Sequence, residues 1–456
     1  ETLQATSLRM NVPNALSLAG SAVLLFTGLA VAQDDWSPRY VPPAASTAAS
    51  PQQPSPSAQT PAAPSQTPAK PPVKEYSEDE PATPATPATP AQPSAPTAAP
   101  ATAPPSAAMT AREKELREIA ERFAPVFYKR LAGTAEEHRF DYPTNFDFDG
   151  DWVGNNNWQN AGDSKYKLWS FVYYSVIEGE DHYYIHYAVF HPRDWSVVEK
   201  AYTGILDKYK EIIGEKARKE VEFNHENDLE GALVIVDKWA EGGPTVIAAE
   251  TVAHNHLLRW VTPEATNLRV TSGGQPKRLR LENGRPVLYV ESQKHGIHAW
   301  QGEEGTQAEP ILLMRYGKPM EFSQVQDGEA TYELVSIYKT WWKYGRETRE
   351  PNTTFGTVVD FADGFCKVAG ARRPACEVGK IGGAIRGDYA RPNASNAPWN
   401  WIDLDDKELT PGAWFFDPAY ILRRHFGQFD SAEKYLFNPY LGIGTAGPAA
   451  AAQTAR

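Results

Sequence analysis

Half of the prolines in this chain lie in one segment, which divides the sequence before any motif is considered. Of 38 prolines, 19 fall within residues 41–110, among Ala, Ser and Thr residues that include the repeat PATPATPATP. This composition has too few large apolar side chains to form a core and favours an extended, polyproline-like spacer. We therefore predict a disordered Pro/Ala-rich linker over residues 33–110, a folded body over 111–440 and a disordered tail over 441–456.

The first 32 residues have the pattern of an export signal. The apolar stretch ALSLAGSAVLLFTGLAVA ends in Ala30-Val31-Ala32, the small-x-small pattern that precedes a signal peptidase cut. We predict that residues 1–32 are a signal peptide, with an uncleaved anchor as the alternative. The protein is then secreted, or lies at the cell surface or in the periplasm. Export favours a disulfide between the two cysteines, Cys366 and Cys376, with two free thiols as the alternative.

The body has the pattern of a mainly β protein that begins with a helix. Residues 111–130 carry apolar residues at helical spacing, and Pro125 is expected to end or kink this helix. The β-branched and aromatic runs 167–179 and 181–192 are separated by a short acidic turn and predict a hairpin.

The rest of the body predicts a β-sandwich of jelly-roll type with helical insertions. The aromatic clusters of residues 310–440 are expected to form core and loop packing. The further segments are a helix over 197–223 and strands over 228–238, 245–256 and 285–293.

Charge and cysteine content exclude several functions. The body contains 50 acidic and 40 basic residues, and the whole chain has a net charge of −12. Phosphate-backbone binding needs a basic face, so no nucleic-acid partner is expected. Two cysteines exclude a four-cysteine zinc site and a disulfide-dense scaffold. The sequence also has no Walker loop, H-E-x-x-H, G-x-S-x-G elbow or dinucleotide fingerprint.

The segment NHENDLEGALVIV (224–236) contains the strongest candidate site. Asp228 and Glu230 are two residues apart and therefore share one face of a strand, while the apolar residues that follow predict burial on both faces. Two buried carboxylates repel each other and raise each other's pKa unless a cation lies between them. Oxygen ligands favour Mg²⁺, Ca²⁺ or Mn²⁺, and His225 adds a nitrogen ligand. The alternative is a salt-bridged start of a strand without a metal.

A second segment, YAVFHPRDW (187–195), offers a further carboxylate. Pro192 is expected to end its strand and to leave Asp194 in the turn just beyond. A carboxylate at the end of that strand, beside the first segment, would be the fourth ligand.

Taken together, YAVFHPRDW and HENDLEG resemble the secreted necrosis- and ethylene-inducing proteins over about residues 170–300. In that family a strand ending in an aromatic-Pro-Lys-Asp turn precedes a GHRHDWE heptapeptide. The upstream Asp binds a divalent cation in a β-sandwich cleft, together with the first His, the Asp and the Glu of the heptapeptide. The resemblance implies that Asp194, His225, Asp228 and Glu230 hold the cation, with the spacing H-x-x-D-x-E intact.

This resemblance has clear departures. Asn224, Asn227 and Leu229 stand where the family has Gly, His and Trp. Members of that family bind plant sphingolipid head groups and lyse membranes, and no segment here matches their membrane-contact loops. The later segment RPVLYVESQKHGIHAW (285–300) also resembles a stretch of related vacuolar-sorting-like sandwich proteins.

Histidines supply the candidates for a general base, because eight of the ten fall within residues 182–298. The segment ETVAHNH is predicted to place Glu250, His254 and His256 on one strand face, and His-x-His on a strand can ligate zinc. The segment QKHGIHAW places His295 and His298 beside a turn at Gly296, within reach of the same cleft. Core histidines without a catalytic role are the alternative for all four.

A separate acidic loop, NFDFDGDWVGNNNW (145–158), has alternating carboxylates at Asp147, Asp149 and Asp151. It suggests calcium but lacks the closing Glu of an EF-hand. A calcium loop and an Asn/Asp-rich turn remain equal alternatives.

These features predict an exported β-sandwich protein with a divalent cation in an acidic, His-lined cleft. Mg²⁺ or Ca²⁺ is expected first, then Mn²⁺ or Zn²⁺. The ligand would be a polar extracellular group such as a glycan or a glycolipid head group. A more specific form of this hypothesis adds peripheral membrane contact and membrane lysis. The alternatives are a metal-dependent hydrolase that uses the same cleft and a structural surface-display module.

Overall fold

The computed structural model describes the greater part of the predicted body. The described residues are 111–196, 224–265, 268, 277–302, 309–347, 353–361, 378–427 and 433–444. The predicted signal peptide and linker, residues 445–456 of the tail, the predicted helix 197–223 and both cysteines lie outside them. Among the described residues, no helix has the length and apolarity needed to cross a membrane.

The strands of the described residues form one 13-stranded mixed sheet and one 2-stranded sheet. They are β1 Val126–Arg130, β2 Phe171–Gly179, β3 His182–Asp194, β4 His225–Asp237, β5 Thr245–Ala253, β6 His256–Val261, β7 Lys277–Arg278, β8 Leu281–Glu282, β9 Arg285–Val290, β10 Ile297–Ala299, β11 Ile311–Tyr316, β12 Glu329–Ser336, β13 Phe355–Asp360, β14 Lys380–Ile385 and β15 Tyr435–Phe437.

The helices are short and lie between these strands. They are α1 Ala111–Arg122, α2 Asn157–Gly162, α3 Trp341–Gly345, α4 Ala413–Phe416 and α5 Pro418–Phe426, with 3-10 turns at Glu137–Phe140, Phe322–Gln324, Pro398–Asn400 and Pro439–Leu441.

The main sheet curls until its two ends approach each other. Its hydrogen-bonded order is β10-β9-β1-β11-β12-β2-β3-β4-β5-β6-β7, and β2 to β6 form an antiparallel meander. Although β10 is the first strand in this order, it packs against β5 and β4. The loop between β9 and β10 therefore reaches the same end of the sheet as the start of β4.

The predicted fold class, mainly β with a sandwich-like core and an N-terminal helix, is confirmed. Helix α1 ends at Arg122, before Pro125, and residues 126–130 continue as strand β1. The hairpin of β2 and β3 forms as predicted. Strands β11 and β12 belong to the main sheet, so part of the aromatic segment 310–440 completes the sheet.

The core is apolar on both faces of β4, as the sequence predicts. Leu233 and Ile235 on one face and Val234 and Val236 on the other are fully buried. The aromatic clusters are core as well, which is also as expected. The tryptophans with 0–1% exposure are Trp300, Trp341, Trp399 and Trp414.

The prediction that Pro192 ends its strand is wrong. Strand β3 continues to Asp194, because Pro192 faces Asn227 at a point where neither residue has a ladder partner. No N–H is required of the proline at this position, so the strand tolerates it. Asp194 consequently lies on the strand itself, opposite His225.

The prediction of one strand over residues 245–256 is also wrong. The chain reverses at His254 and Asn255, which both have left-handed backbone conformations, with φ of 53° and 64°. Ala253 pairs directly with His256, so this is a two-residue hairpin turn of the kind that needs positive φ at both central residues. The usual Asn-Gly signal is absent from the sequence here, so the pattern alone does not indicate the turn.

Stability is expected to fall as the pH decreases from about 6.5 to about 4, because burial lowers the pKa of His186 to about 4. The unfolded imidazole gains its proton below the ordinary histidine pKa of 6.5, whereas the folded one stays neutral until about pH 4. The resulting loss in the free energy of unfolding amounts to about 3 kcal/mol when it is complete. His186→Leu should therefore flatten the dependence, measured by urea unfolding at pH 7.5 and pH 5.

The matched control is His138→Leu, at a partly exposed imidazole, which should keep the wild-type dependence. An equally steep loss of stability in His186→Leu would contradict the assignment.

Candidate metal centre

The pairing of β3 with β4 brings Asp194 and His225 together at one end of the sheet. The two residues are ladder partners, and His225 Nε2 lies 3.3 Å from Asp194 Oδ2. His225 Nδ1 donates to the Asn227 carbonyl at 2.8 Å, which directs Nε2 toward Asp194. Burial lowers the pKa of His225, but the charge of Asp194 outweighs burial and raises it. Metal-binding histidines are commonly held in this way, because a hydrogen bond at one nitrogen fixes the tautomer in which the other is a ligand.

A single left-handed residue, Asn227, brings Asp228 to the same point. Residues three apart on a regular strand point to opposite faces, so His225 and Asp228 would diverge. Asn227 has φ of 61°, which Asn tolerates better than most residues, and its side chain donates 2.7 Å hydrogen bonds to two loop carbonyls. Asp194, His225 and Asp228 each offer one ligand atom, and these atoms lie within 4.8 Å of one another.

Glu230, the fourth predicted ligand, lies on β4 two residues beyond Asp228 but outside this group of three. Its Oε2 is buried and has no hydrogen-bond partner among the described residues. Burial and the charges of Asp228 and Glu291 raise the pKa of Glu230 well above its ordinary value. An unpartnered buried carboxylate oxygen is costly, and a cation is a partner that would satisfy it.

The carboxylates of this group differ in how far neighbouring positive charges compensate them. Burial opposes ionisation of Asp194, but His225 and Lys294 outweigh it and hold the pKa of Asp194 at about 2. Burial and the charge of Asp194 raise the pKa of Asp228 to about 7. The group therefore holds more carboxylates than it can ionise easily at neutral pH. A divalent cation would change this, because it favours the ionised form of every carboxylate around it.

His295, a predicted candidate base, instead holds Asp228 in place through a buried hydrogen bond. Its Nδ1 lies 2.8 Å from Asp228 Oδ2 and its Nε2 lies 3.1 Å from Asp141 Oδ1. The ring is fully buried and stacks on His191 with centroids 3.6 Å apart. Burial and the charge of Lys129 hold the pKa of His295 well below its ordinary value. A neutral ring donates only one hydrogen bond, so one of the two carboxylates supplies a proton to the other bond.

Asp141 was not predicted from the sequence, although it anchors this support. It accepts backbone N–H hydrogen bonds of 2.7 Å from Ala132 and from Gln293, and the Trp195 indole N–H donates to it at 3.1 Å. Burial nevertheless raises the pKa of Asp141. Nothing in the local sequence around Asp141 marks it, because its partners lie in distant segments.

A second cluster joins Glu291 to two histidines beside the first group. Glu291 accepts hydrogen bonds from His254 Nε2 at 2.7 Å and from His298 Nε2 at 2.9 Å. The hydrogen bond that His254 donates to Glu291 raises the pKa of His254. Gly296 is required here, because a Cβ at this position would lie 2.9 Å from Glu291 Oε2 and 3.1 Å from His254 Nε2. His254 thus lies near Asp194 and Asp228, and a role of His254 or His298 as a base stays a prediction.

The prediction that Glu250, His254 and His256 share one strand face is wrong. The turn after β5 places them on three different elements, and they contact different partners. Glu250 Oε1 lies 2.6 Å from His425 Nδ1 in the core, and His256 Nδ1 lies 3.0 Å from Asp405 Oδ2 near the surface.

His256 belongs to a separate group with Asp403 and Asp405, whose ligand atoms also lie within 4.8 Å of one another. This group is weaker as a metal site, because Asp403 already binds the Arg259 guanidinium at 2.9 Å. The Asp405 side chain is also 64% exposed. Because an exposed carboxylate is already hydrated, it loses little free energy when no metal ion is bound.

The acidic loop Asp147–Asp151 has the contacts of a turn. Asp147 accepts from the Asn145 amide at 2.8 Å, and Asp149 from the Asn160 amide at 2.5 Å. Asp151 accepts from the backbone N–H of residue 153 at 2.8 Å. Among the described residues these carboxylates do not form one of the groups within 4.8 Å, which favours the Asn/Asp-rich turn over the calcium loop.

The donor set of the main group fits a divalent cation. Two carboxylates and one imidazole suit Mg²⁺, Mn²⁺ or Ca²⁺, whereas zinc more often takes additional nitrogen or sulfur ligands. Asp194, His225 and Asp228 are only 6–9% exposed, so these ligand side chains are largely removed from water before an ion binds.

Comparison with known proteins gives matches only among solved structures. No family model matches this chain, and no curated protein matches it.

The similar solved structures include necrosis- and ethylene-inducing proteins, the family that the sequence resembles. Necrosis and ethylene inducing protein 2 from the causal agent of cocoa's witches' broom disease has 12% identity and a TM-score of 0.23, over 40% of this chain and 67% of that chain. The non-toxic HaNLP3 protein has 15% identity and a TM-score of 0.24, over 51% of this chain and 78% of that chain. NLPPya in complex with glucosamine has 14% identity and a TM-score of 0.23, over 40% of this chain and 67% of that chain. Likeness at these TM-scores gives no information on ligand or activity.

In protein stripped of metal by a chelator, Asp228→Asn is expected to stabilise the fold at pH 8. A carboxyl group whose pKa is raised from 3.8 to about 7 costs stability when it is ionised, by a few kcal/mol as an order of magnitude. The cost is absent below the unfolded pKa and complete above the folded pKa. The gain should therefore be largest at pH 8, fall as the pH decreases and nearly vanish by about pH 3.5, as measured by urea unfolding.

Asp147→Asn is the control, since Asp147 lies outside the group, and it should show no such gain. Equal stability of Asp228→Asn and wild type at pH 8 would show that the Asp228 charge is already compensated.

Proposed function

We propose that this protein binds one divalent cation through Asp194, His225 and Asp228, with Glu230 as the fourth ligand. The bound cation in turn holds a polar extracellular ligand, such as a glycan or a glycolipid head group. The observation that carries this proposal is the convergence of three buried ligand atoms within 4.8 Å of one another. The match of these positions to the H-x-x-D-x-E spacing adds support from the sequence.

The cation acts here as a binding device. Mg²⁺ and Ca²⁺ accept six or more oxygen ligands, and the protein supplies up to four ligands. The remaining positions are available to hydroxyl groups of a ligand. Two neighbouring sugar hydroxyls would replace two water molecules without introducing a charge.

Charge around the group favours a neutral or cationic ligand over an anionic one. Asp194, Asp228, Glu230 and Glu291 are all near enough to affect one another's ionisation. Lys294 contacts Asp194, and His254 and Lys129 also act on these carboxylates, so positive and negative charges nearly balance once a divalent ion is bound. A phosphate or sulfate ligand would add negative charge to this balance, whereas a neutral ligand adds none.

Metal-dependent hydrolysis is the second candidate, favoured by the cluster of Glu291, His254 and His298. Although burial opposes it, the hydrogen bonds from His254 and His298 hold the pKa of Glu291 well below its ordinary value, so Glu291 is a weak base. In this mechanism one of the two histidines would accept the proton of a metal-bound water, with Glu291 orienting its ring. His295 is a poor base in this mechanism, because both of its nitrogens are engaged with buried carboxylates.

We further propose that the protein is exported and that the Pro/Ala-rich segment separates the folded body from a membrane or wall. Peripheral membrane contact would then follow from binding a glycolipid head group. Leakage of glycolipid vesicles that stops in excess chelator supports a lytic form of this function, whereas leakage that persists in chelator contradicts it.

The test of the proposal is metal content after equilibrium dialysis against Mg²⁺, Ca²⁺, Mn²⁺ or Zn²⁺ in turn. Wild-type protein should retain about one equivalent of the preferred ion, and Asp228→Ala should lose it because a central carboxylate is removed. Asp403→Ala, at the separate His256 group, is the matched control and should retain the ion. No bound metal in folded wild-type protein would overturn the proposal.

Ligand class is tested next, by binding of the metal-loaded protein to an array of neutral, amino and sulfated glycans. We expect the protein to bind neutral or amino glycans only when metal is present, and not to bind sulfated glycans. Two bound Zn²⁺ ions with turnover of an ester or glycoside substrate would favour hydrolysis. Intact ligand binding by a destabilised Asp228→Ala protein would indicate a structural role alone.

A further inference from the structure

Lys294 places a positive charge inside the candidate metal centre. Its Nζ contacts Asp194 Oδ1, and its charge also acts on Asp228 and His225. The Lys294 side chain is 28% exposed, against 11% for Asp194. The Lys294 ammonium therefore contacts the buried Asp194 carboxylate from a side chain that is more exposed to solvent than Asp194 itself.

The backbone on both sides of Lys294 is fixed, so this contact is built into the fold. Gln293 and His295 both have left-handed conformations, with φ of 67° and 57°, an unusual state for residues of this size. The Gln293 N–H donates to Asp141 at 2.7 Å. His295 is held by hydrogen bonds to Asp141 and Asp228. Lys294 is thereby presented between two anchored neighbours.

The contact leaves Asp194 without an unoccupied oxygen. Its Oδ2 faces His225 at 3.3 Å and its Oδ1 contacts the Lys294 ammonium. A divalent cation that uses Asp194 needs one of these oxygens, and it also repels a second cation a few ångströms away. The ammonium and the metal ion therefore weaken each other's interaction with the Asp194 carboxylate.

We propose that Lys294 is an internal counter-ion that competes with the divalent cation for Asp194. Cation binding then requires the ammonium to leave, and Lys294 sets the concentration of ion at which the centre fills. A long, flexible side chain with a partly exposed stem can move outward without disturbing the anchored backbone. This inference rests on the proposed function, since it concerns the affinity of the same centre.

The experiment is isothermal titration calorimetry of the full chain with MgCl₂ and with CaCl₂. Lys294→Met removes the competing charge and keeps the apolar stem, so it should bind the cation about tenfold more tightly or better. Lys294→Arg keeps the charge and should bind no more tightly than wild type. Lys167→Met is the matched control, because Lys167 is a 56% exposed lysine that pairs with Glu321 at 2.9 Å, and its affinity should match that of wild type.

The outcomes separate this inference from the proposed function. Equal or weaker cation binding by Lys294→Met, in a protein that keeps the wild-type circular dichroism, overturns the role of Lys294 and leaves the metal centre standing. Tighter cation binding by Lys294→Met than by both wild type and Lys294→Arg supports it. An absence of binding in every variant overturns the proposed function itself. Lys294→Gln repeats the comparison if Lys294→Met fails to fold.

Discussion

The crowding of carboxylates at one end of a curled sheet is the constraint on which the candidate centre depends. Burial disfavours the charges of Asp194, Asp228 and Glu230, and the fold compensates these charges only in part. Asp194 is stabilised by a histidine and a lysine, Asp228 has a pKa of about 7, and Glu230 keeps an oxygen without a partner among the described residues. Buried charge of one sign is tolerated at such cost mainly where a ligand of the opposite charge completes the site.

Two features of the backbone produce this arrangement. The curl of the sheet brings β10 against β4 and β5, so that the loop carrying Lys294 and His295 meets the ends of β3 and β4. The left-handed Asn227 then breaks the alternation of β4, and His225 and Asp228 converge. The Asn227 side chain is held by hydrogen bonds to two loop carbonyls, and the loop of Lys294 and His295 is held by the buried Asp141. The geometry is therefore expected to persist whether or not an ion is bound.

The supporting residues give the centre its rigidity. A neutral His295 links Asp228 to Asp141, and Asp141 is fixed in turn by backbone N–H groups from two distant segments. Ligand residues supported in this way lose little entropy on binding a metal. Lys294 differs from them, because its stem is partly exposed and its contact is with a single carboxylate. It is the part of the centre best suited to move.

The sequence alone determined the mainly β class, the initial helix and the first hairpin, and through a family resemblance it predicted Asp194, His225 and Asp228 as cation ligands. These follow from local information: residue periodicity, the stop at Pro125 and the spacing of His225, Asp228 and upstream Asp194. The partners Asp141 and Lys294, the turn at His254 and the separation of His256 were decided only by the tertiary structure. A left-handed turn without glycine and a contact between segments about 150 residues apart leave no periodic trace, because both arise from how the sheet closes on itself.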